Sequence, residues 1–200
     1  MTLRAFPFFA FLFLRKHLAT GLIGLLLGVF GVFGVFSVPI AHADEYADVN
    51  RLITARQFPQ ALASADKYLA AKPRDPQMRF LKGVIQSQTG NTAQAVVTFV
   101  QITQEFPELP EPHNNLAVLY AGQSQFDKAR ESLEMAIRLN PSYAVAHENL
   151  GDIQARLASQ SYSRAQQLDP GNAALTPKLT LIGQLLAPAA AKAPVPAKAP

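Results

Sequence analysis

The chain has 200 residues, with 18 basic and 14 acidic side chains, no cysteine and no tryptophan. The missing thiols exclude disulfides, thiolate metal sites, a cysteine nucleophile and a lipid-modified cysteine. Arg4, Arg15 and Lys16 precede the first long apolar run, so residues 44–200 keep 15 basic (18 less these three) against 14 acidic side chains, no basic face remains for a row of phosphates, and nucleic acid is excluded as a partner.

From Leu18 to Val38 run 21 uncharged residues, followed by Pro39 and the triplet Ala41-His42-Ala43. A basic start, an apolar stretch and an A-x-A site predict a signal peptide over residues 1–43, cut between Ala43 and Asp44. Pro39 ends the apolar helix and presents Ala41 and Ala43 extended to a protease. Cleavage would leave the chain in a periplasm. The same run is long enough to span a hydrocarbon core, which takes about 20 residues. An uncleaved helix over 18–38, holding the rest at an inner membrane facing the periplasm, is the alternative.

Beyond the leader the chain repeats. Proline falls at 73, 107 and 141 and alanine at 61, 95 and 129, each at a spacing of 34, and Val49, Gly83, Ala117 and Gly151 form a third register of small or modest side chains. Periods of this length mark arrays of helix hairpins. In the unit 42–75, Asp44, Glu45 and Asp48 place negative charge in a first helical turn, where the helix dipole favours it. Val49, Leu52 and Ile53 follow with helical spacing. Phe58-Pro59 opens a second helix whose buried stripe is Ala61, Leu62, Ala65, Tyr68 and Leu69, and Pro73 stops it. The unit 76–109 turns at Gly90-Asn91 and returns through Ala95, Val96, Phe99, Val100 and Ile102. The unit 110–143 turns around Gly122 to Ser124 and returns through Phe126, Ala129, Leu133 and Ile137.

The fourth unit, 144–170, breaks the rhythm, because Pro170 arrives five residues early. Ala158, Tyr162 and Ala165 then fall on second-helix positions, and the missing residues are those of the turn. A continuous helix over 145–168 is expected, with a tight corner near Ala155 as the alternative. Leu175, Leu179, Ile182, Leu185 and Leu186 predict a capping helix within 171–186, as terminal units of arrays require. From Ala187 to Pro200 only Ala, Pro, Lys and Val occur. That composition buries too little to offset its ordering entropy, and a disordered tail is expected.

These registers resemble the tetratricopeptide repeat family over about residues 44–170. In 110–143, Leu116, Ala117, Tyr120, Ala129, Leu133, Ala136 and Pro141 match the family's spaced pattern. The unit 76–109 keeps Gly83, Ala95, Phe99 and Pro107 but has Lys82 where the family prefers leucine, and 42–75 keeps Ala61, Tyr68 and Pro73. The family's tryptophan position holds Glu45, Arg79, His113 and His147, a complete departure. The resemblance implies an all-α, short right-handed α-solenoid of about three hairpins, a degenerate fourth unit and a capping helix. It also implies a concave groove, lined by the first helices, that holds a protein or peptide. On this chain that face maps to Tyr46, Asn50, Phe80, Val84, Asn114, Val118, Glu148 and Asp152. Tyr46, Phe80 and Asn114 stand where the family's carboxylate-gripping version needs lysine, so capture of a C-terminal acid is not expected. The mapped face is amide and apolar in its middle and acidic at its far end, which suits a partner with apolar anchors and a basic end.

Chemistry finds no purchase elsewhere. His113 and His147 occupy equivalent positions of neighbouring units, on helices about 8–10 Å apart, with no third ligand repeated nearby, so no metal is expected. Glu105, Glu108 and Glu111 sit among prolines, and Glu131 and Glu134 on an outer helical face, as solvated charges. No glycine-rich phosphate loop and no G-x-S-x-G turn occurs. No catalytic, cofactor-binding or metal residue is assigned. The expected role is an exported scaffold, with an anchored assembly factor as the rival and an enzyme as a remote third.

Overall fold

The computed structural model describes residues 41–187, and the described residues are all-helical, forming a short α-solenoid. Three hairpins come first: α1 (Ala41–Thr54) with α2 (Phe58–Ala71), α3 (Pro76–Gln88) with α4 (Thr92–Glu105), and α5 (Pro110–Gly122) with α6 (Phe126–Leu139). Then follow α7 (Ala144–Leu168) and α8 (Leu175–Leu186). The backbone of Ala41, Ala43 and Asp44 opens α1. The leader over residues 1–40 and the tail beyond Ala187 lie outside the described residues.

Each hairpin turns by the same device. Arg56, Gly90 and Ser124, spaced by 34, adopt positive φ of 56°, 78° and 58°. The next residue's N–H reaches back five positions: Gln57 to the Leu52 carbonyl at 2.9 Å, Asn91 to Gln86 at 2.8 Å and Gln125 to Tyr120 at 2.9 Å. This is the Schellman closure, which satisfies carbonyls that a helix end leaves orphaned. Between units the second helix ends on Lys72, Phe106 and Asn140, whose N–H groups close on Tyr68, Ile102 and Ala136. Each is followed by proline, which cannot continue a helix. Pro76 and Pro110 then open α3 and α5 at first-turn positions that need no donor.

The core is three clusters rather than one. Val49, Ile53, Ala61, Ala65, Tyr68, Met78, Leu81 and Ile85 form the first. Ala95, Phe99, Ile102, Leu116 and Leu119 form another, and Ala117, Ala129, Leu133, Ala136, Tyr143, Ala146 and Ile153 the last. Ala61, Ala95 and Ala129 are each 0% exposed, which is what lets the two helices of a hairpin approach closely. Lys82, at the family's leucine position, is half-buried and holds Asp66 of α2 at 2.7 Å.

The fourth unit does not fold back. α7 is a single helix of 25 residues without a corner near Ala155, and no residue in it takes the positive φ of the other turns. α8 packs on α7 through buried Leu175 and half-buried Leu179, Ile182 and Leu186. Leu181 and Leu185, on its other side, are 65% and 59% exposed.

Candidate peptide-binding groove

The first helices supply the candidate face, with α1 packed on α3 and α5 on α7. At its N-terminal end, Tyr46 donates to Asp75 Oδ2 at 2.6 Å, and its hydroxyl lies 2.8 Å from that of Tyr68. Burial and this carboxylate hold the Tyr46 phenol well above the usual tyrosine range. Asp75 also accepts the Met78 N–H at 2.7 Å, capping α3, so one carboxylate ties α1, α2 and α3 together. Tyr46 is therefore a structural tie whose polar end is already engaged. Asn50, one helical turn on, is half-buried.

Phe80 and Val84 are half-buried, and both pack against the first cluster and the one centred on Phe99. The Phe80 and Phe99 rings are 5.5 Å apart and tilted, a favourable aromatic arrangement. Phe80 thus joins two clusters as well as lining the face. Val118 is half-buried and belongs to none of the three clusters, which makes it the apolar groove position with the least structural duty.

Asn114 corrects the sequence map. Its side chain is wholly buried and accepts a 2.9 Å hydrogen bond from Asn149 Nδ2 across the α5–α7 contact. A polar side chain at the heart of a helix pair needs such a partner, so the amide oxygen serves the packing of α5 on α7, while the buried Nδ2 of Asn114 has no hydrogen-bond partner among the described residues. Spacing alone placed Asn114 on the inner face because position in a helix fixes a direction, while depth depends on how closely the next helix approaches. Asn149 was missed as its partner. Asn115 stands one period before Asn149, but its side chain donates to the Glu111 carbonyl of its own helix at 2.9 Å.

At the far end Glu148 is exposed and Asp152 half-buried. Burial, and next the Glu148 charge, hold the Asp152 carboxyl above its usual value. Glu111 at the start of α5 was read as a solvated charge, yet it is half-buried and its carboxyl is pushed up by desolvation. The histidines diverge. His113 is half-buried and held below its usual pKa by desolvation and by Arg138, whereas His147 is exposed with Nε2 at 3.0 Å from the Pro141 carbonyl. Among the described residues no three histidine or carboxylate side chains converge as metal ligands, and no helix is long and apolar enough to cross a membrane.

Two family models, each described as tetratricopeptide repeat, match residues 46–110 and 110–143. Among curated proteins the chain is similar to the chloroplastic tetratricopeptide repeat domain-containing protein PYG7 of Arabidopsis thaliana. It is 32% identical to that protein over 76 residues, 36% of this chain and 25% of the relative. It is also 28% identical over 95 residues to the repeat-containing thioredoxin TTL4 of the same plant, covering 48% of this chain and 14% of the relative. The chain thus spans a quarter or less of these relatives. Among solved structures, the first repeat domain of human RPAP3 superposes with a TM-score of 0.56 at 16% identity, over 60% of this chain and 95% of that one. The first repeat domain of Spaghetti (RPAP3) bound to the HSP90 peptide SRMEEVD gives 0.54 at 15% identity, over 58% and 92%. MamA gives 0.51 at 21% identity, over 69% and 85%. These likenesses speak for the fold. The three hairpins, the shared turns and the buried alanine register agree with the two family models, which identify tetratricopeptide repeats over residues 46–143.

Proposed function

We propose that this chain is a non-catalytic scaffold that holds an extended or helical peptide segment of a protein partner along the first-helix face. The observation that carries this reading is the row of half-buried apolar side chains, Val84 and Val118, leading to Asp152 and Glu148. Such a row offers hydrophobic anchorage first and then negative charge, and it suits a partner with apolar anchors ahead of a basic end. A structure of similar fold at low identity holds a peptide, which supports peptide binding as a use of the fold.

The leader places the scaffold outside the cytoplasm, in the periplasm, after removal of residues 1–43. The run over 18–38 is long enough to serve as an anchor instead. Intact mass and terminal sequencing of the native protein decide between these readings: Asp44 as the first residue supports export, and an intact leader supports the anchor.

The groove is tested by affinity capture from envelope extracts with the native chain and its variants, each bound protein being identified and then titrated. Val118→Asp is expected to weaken capture at least about tenfold, as loss of an interface anchor does. Far-ultraviolet dichroism and melting should be unchanged, because Val118 holds no cluster together. Glu131→Ala, on an outer helical face, should bind like the parent. Capture that survives Val118→Asp and is lost on Glu131→Ala moves the binding surface elsewhere.

A further inference from the structure

One face of α7 is covered by α8 along its later part only. Residues 148, 152, 155, 159, 162 and 166 follow at steps of three and four, so they lie along a single face of that helix. Ala155, Ser159, Tyr162 and Gln166 are half-buried, and α8 meets the row where the Lys178 ammonium stands 5.0 Å from the Tyr162 ring centroid and Gln166 donates to Thr176. These two contacts set α8 antiparallel to α7. Leu186, eight residues beyond Lys178, is then about 12 Å nearer the start of α7, level with Gln154. Asp152 and the exposed Glu148 come next on the same row, just past the end of α8.

The chain leaves α8 toward these carboxylates. Ala187 is extended, with φ −65° and ψ 142°, close to polyproline II values. Residues 188–200 contain four prolines, one valine, two lysines and no acidic side chain. In polyproline II each residue advances about 3.1 Å and three make a turn. The five residues from Ala187 to Lys192 then span about 16 Å, enough to bring the lysine to Asp152. Val195, one turn later, would share the side of Lys192 about 9 Å further on. That step matches the groove: Val118 and Asp152 hold equivalent positions on α5 and α7, which the Asn149–Asn114 bond joins, and packed helices lie about 8–10 Å apart.

We infer that residues 188–200 fold back over the acidic end of the first-helix face of their own chain, with Lys192 against the Asp152 and Glu148 carboxylates and Val195 on Val118. The segment has what that end calls for, a cation followed by an apolar anchor, and it is tethered beside it. Burial and the Glu148 charge raise the Asp152 carboxyl, and an ammonium set between the two carboxylates offsets both costs. A short tether supplies an effective concentration on the order of millimolar, so a weak contact suffices. The segment takes part of the face proposed for a partner, and to that extent rests on the same reading; its own test needs no partner, so the two can fail separately.

The test is zero-length carbodiimide cross-linking of the full chain, purified in detergent, read by peptide mass spectrometry. Lys192 should join Asp152 or Glu148 at least about fivefold more than Asp169, which the same tether can reach from the far end of α7. Val195→Gly removes the anchor but neither reacting group, and Lys192 should then link evenly; 0.5 M salt should weaken the preference as well. Links of equal yield to Asp152 and Asp169 in the parent chain overturn the proposal, as does a preference that Val195→Gly and salt leave unchanged. A mixture of isotopically heavy and light chains should give links within one chain only. Heavy-to-light links would put the segment on a second copy, and an Asp152 link made chiefly by Lys16 would give the site to the leader; either result overturns it.

Discussion

Gly83 and Gly151 occupy equivalent positions two units apart, and their surroundings predict opposite responses to the same change. Gly83→Ala drives a methyl into the Phe99 ring, where the neighbour at 2.8 Å must shift. A loss of about 1–3 kcal/mol is expected in chemical unfolding. Gly151→Ala meets open space in the single chain, and replacing glycine inside a helix should gain up to about 1 kcal/mol. Register alone marked both as small. Which one is covered depends on whether a second helix returns, a property of the turn some residues away. Glu111 makes a pH-dependent case. Desolvation raises its folded-state pKa above the unfolded value, so the unfolded chain ionises first as pH rises. Its contribution is intact below the usual glutamate value of about 4.3 and is lost as pH climbs through the folded-state value. Glu111→Gln should therefore raise the melting temperature at neutral pH and leave it nearly unchanged in acid below that value. Equal shifts at both would show that burial of the charge is not the cause.

At the scale of elements, the turn decides the fold of each unit. Three different residue types, Arg56, Gly90 and Ser124, hold the left-handed conformation at one position of the repeat. Only glycine does so without steric cost; other residues carry about 1–2 kcal/mol of strain there. Arg56→Gly and Ser124→Gly should each stabilise the chain by up to about 1 kcal/mol in equilibrium unfolding, and Gly90→Ala should cost about as much. A loss on introducing either glycine would mean that the side chains contribute more than the backbone strain removes. Much of this level was legible. Pro73, Pro107 and Pro141 mark the ends of second helices, and the five-residue deficit before Pro170 points to an unbroken α7. The left-handed position was not legible at Arg56, because arginine carries no turn preference and is held there by the Schellman bonds on either side.

For the molecule as a whole, the alternation of buried alanine with larger residues made an all-helical array readable in advance, since every hairpin repeats the same small contact. Depth was not readable: Asn114 lay on the expected face and proved buried, and Phe80 lay on it and proved to join two clusters. Of the mapped groove residues, Val118 is the apolar one that belongs to none of the three clusters. The division of the core has a mechanical consequence. Phe80 and Val84 are the side chains common to the first cluster and the one built on Phe99, and Tyr120 is common to that cluster and the last. Neighbouring units of such an array share their stability through nearest-neighbour contacts. Removing one of these shared side chains should cut communication between blocks more than it weakens either block. Tyr120→Ala is thus expected to loosen the coupling between the cluster built on Phe99 and the last cluster, broadening the calorimetric transition so that the calorimetric enthalpy exceeds the van't Hoff value. A single transition merely moved to lower temperature would place the coupling elsewhere. A chain built this way behaves as a row of linked springs, and where it yields first is set by three side chains at the joints.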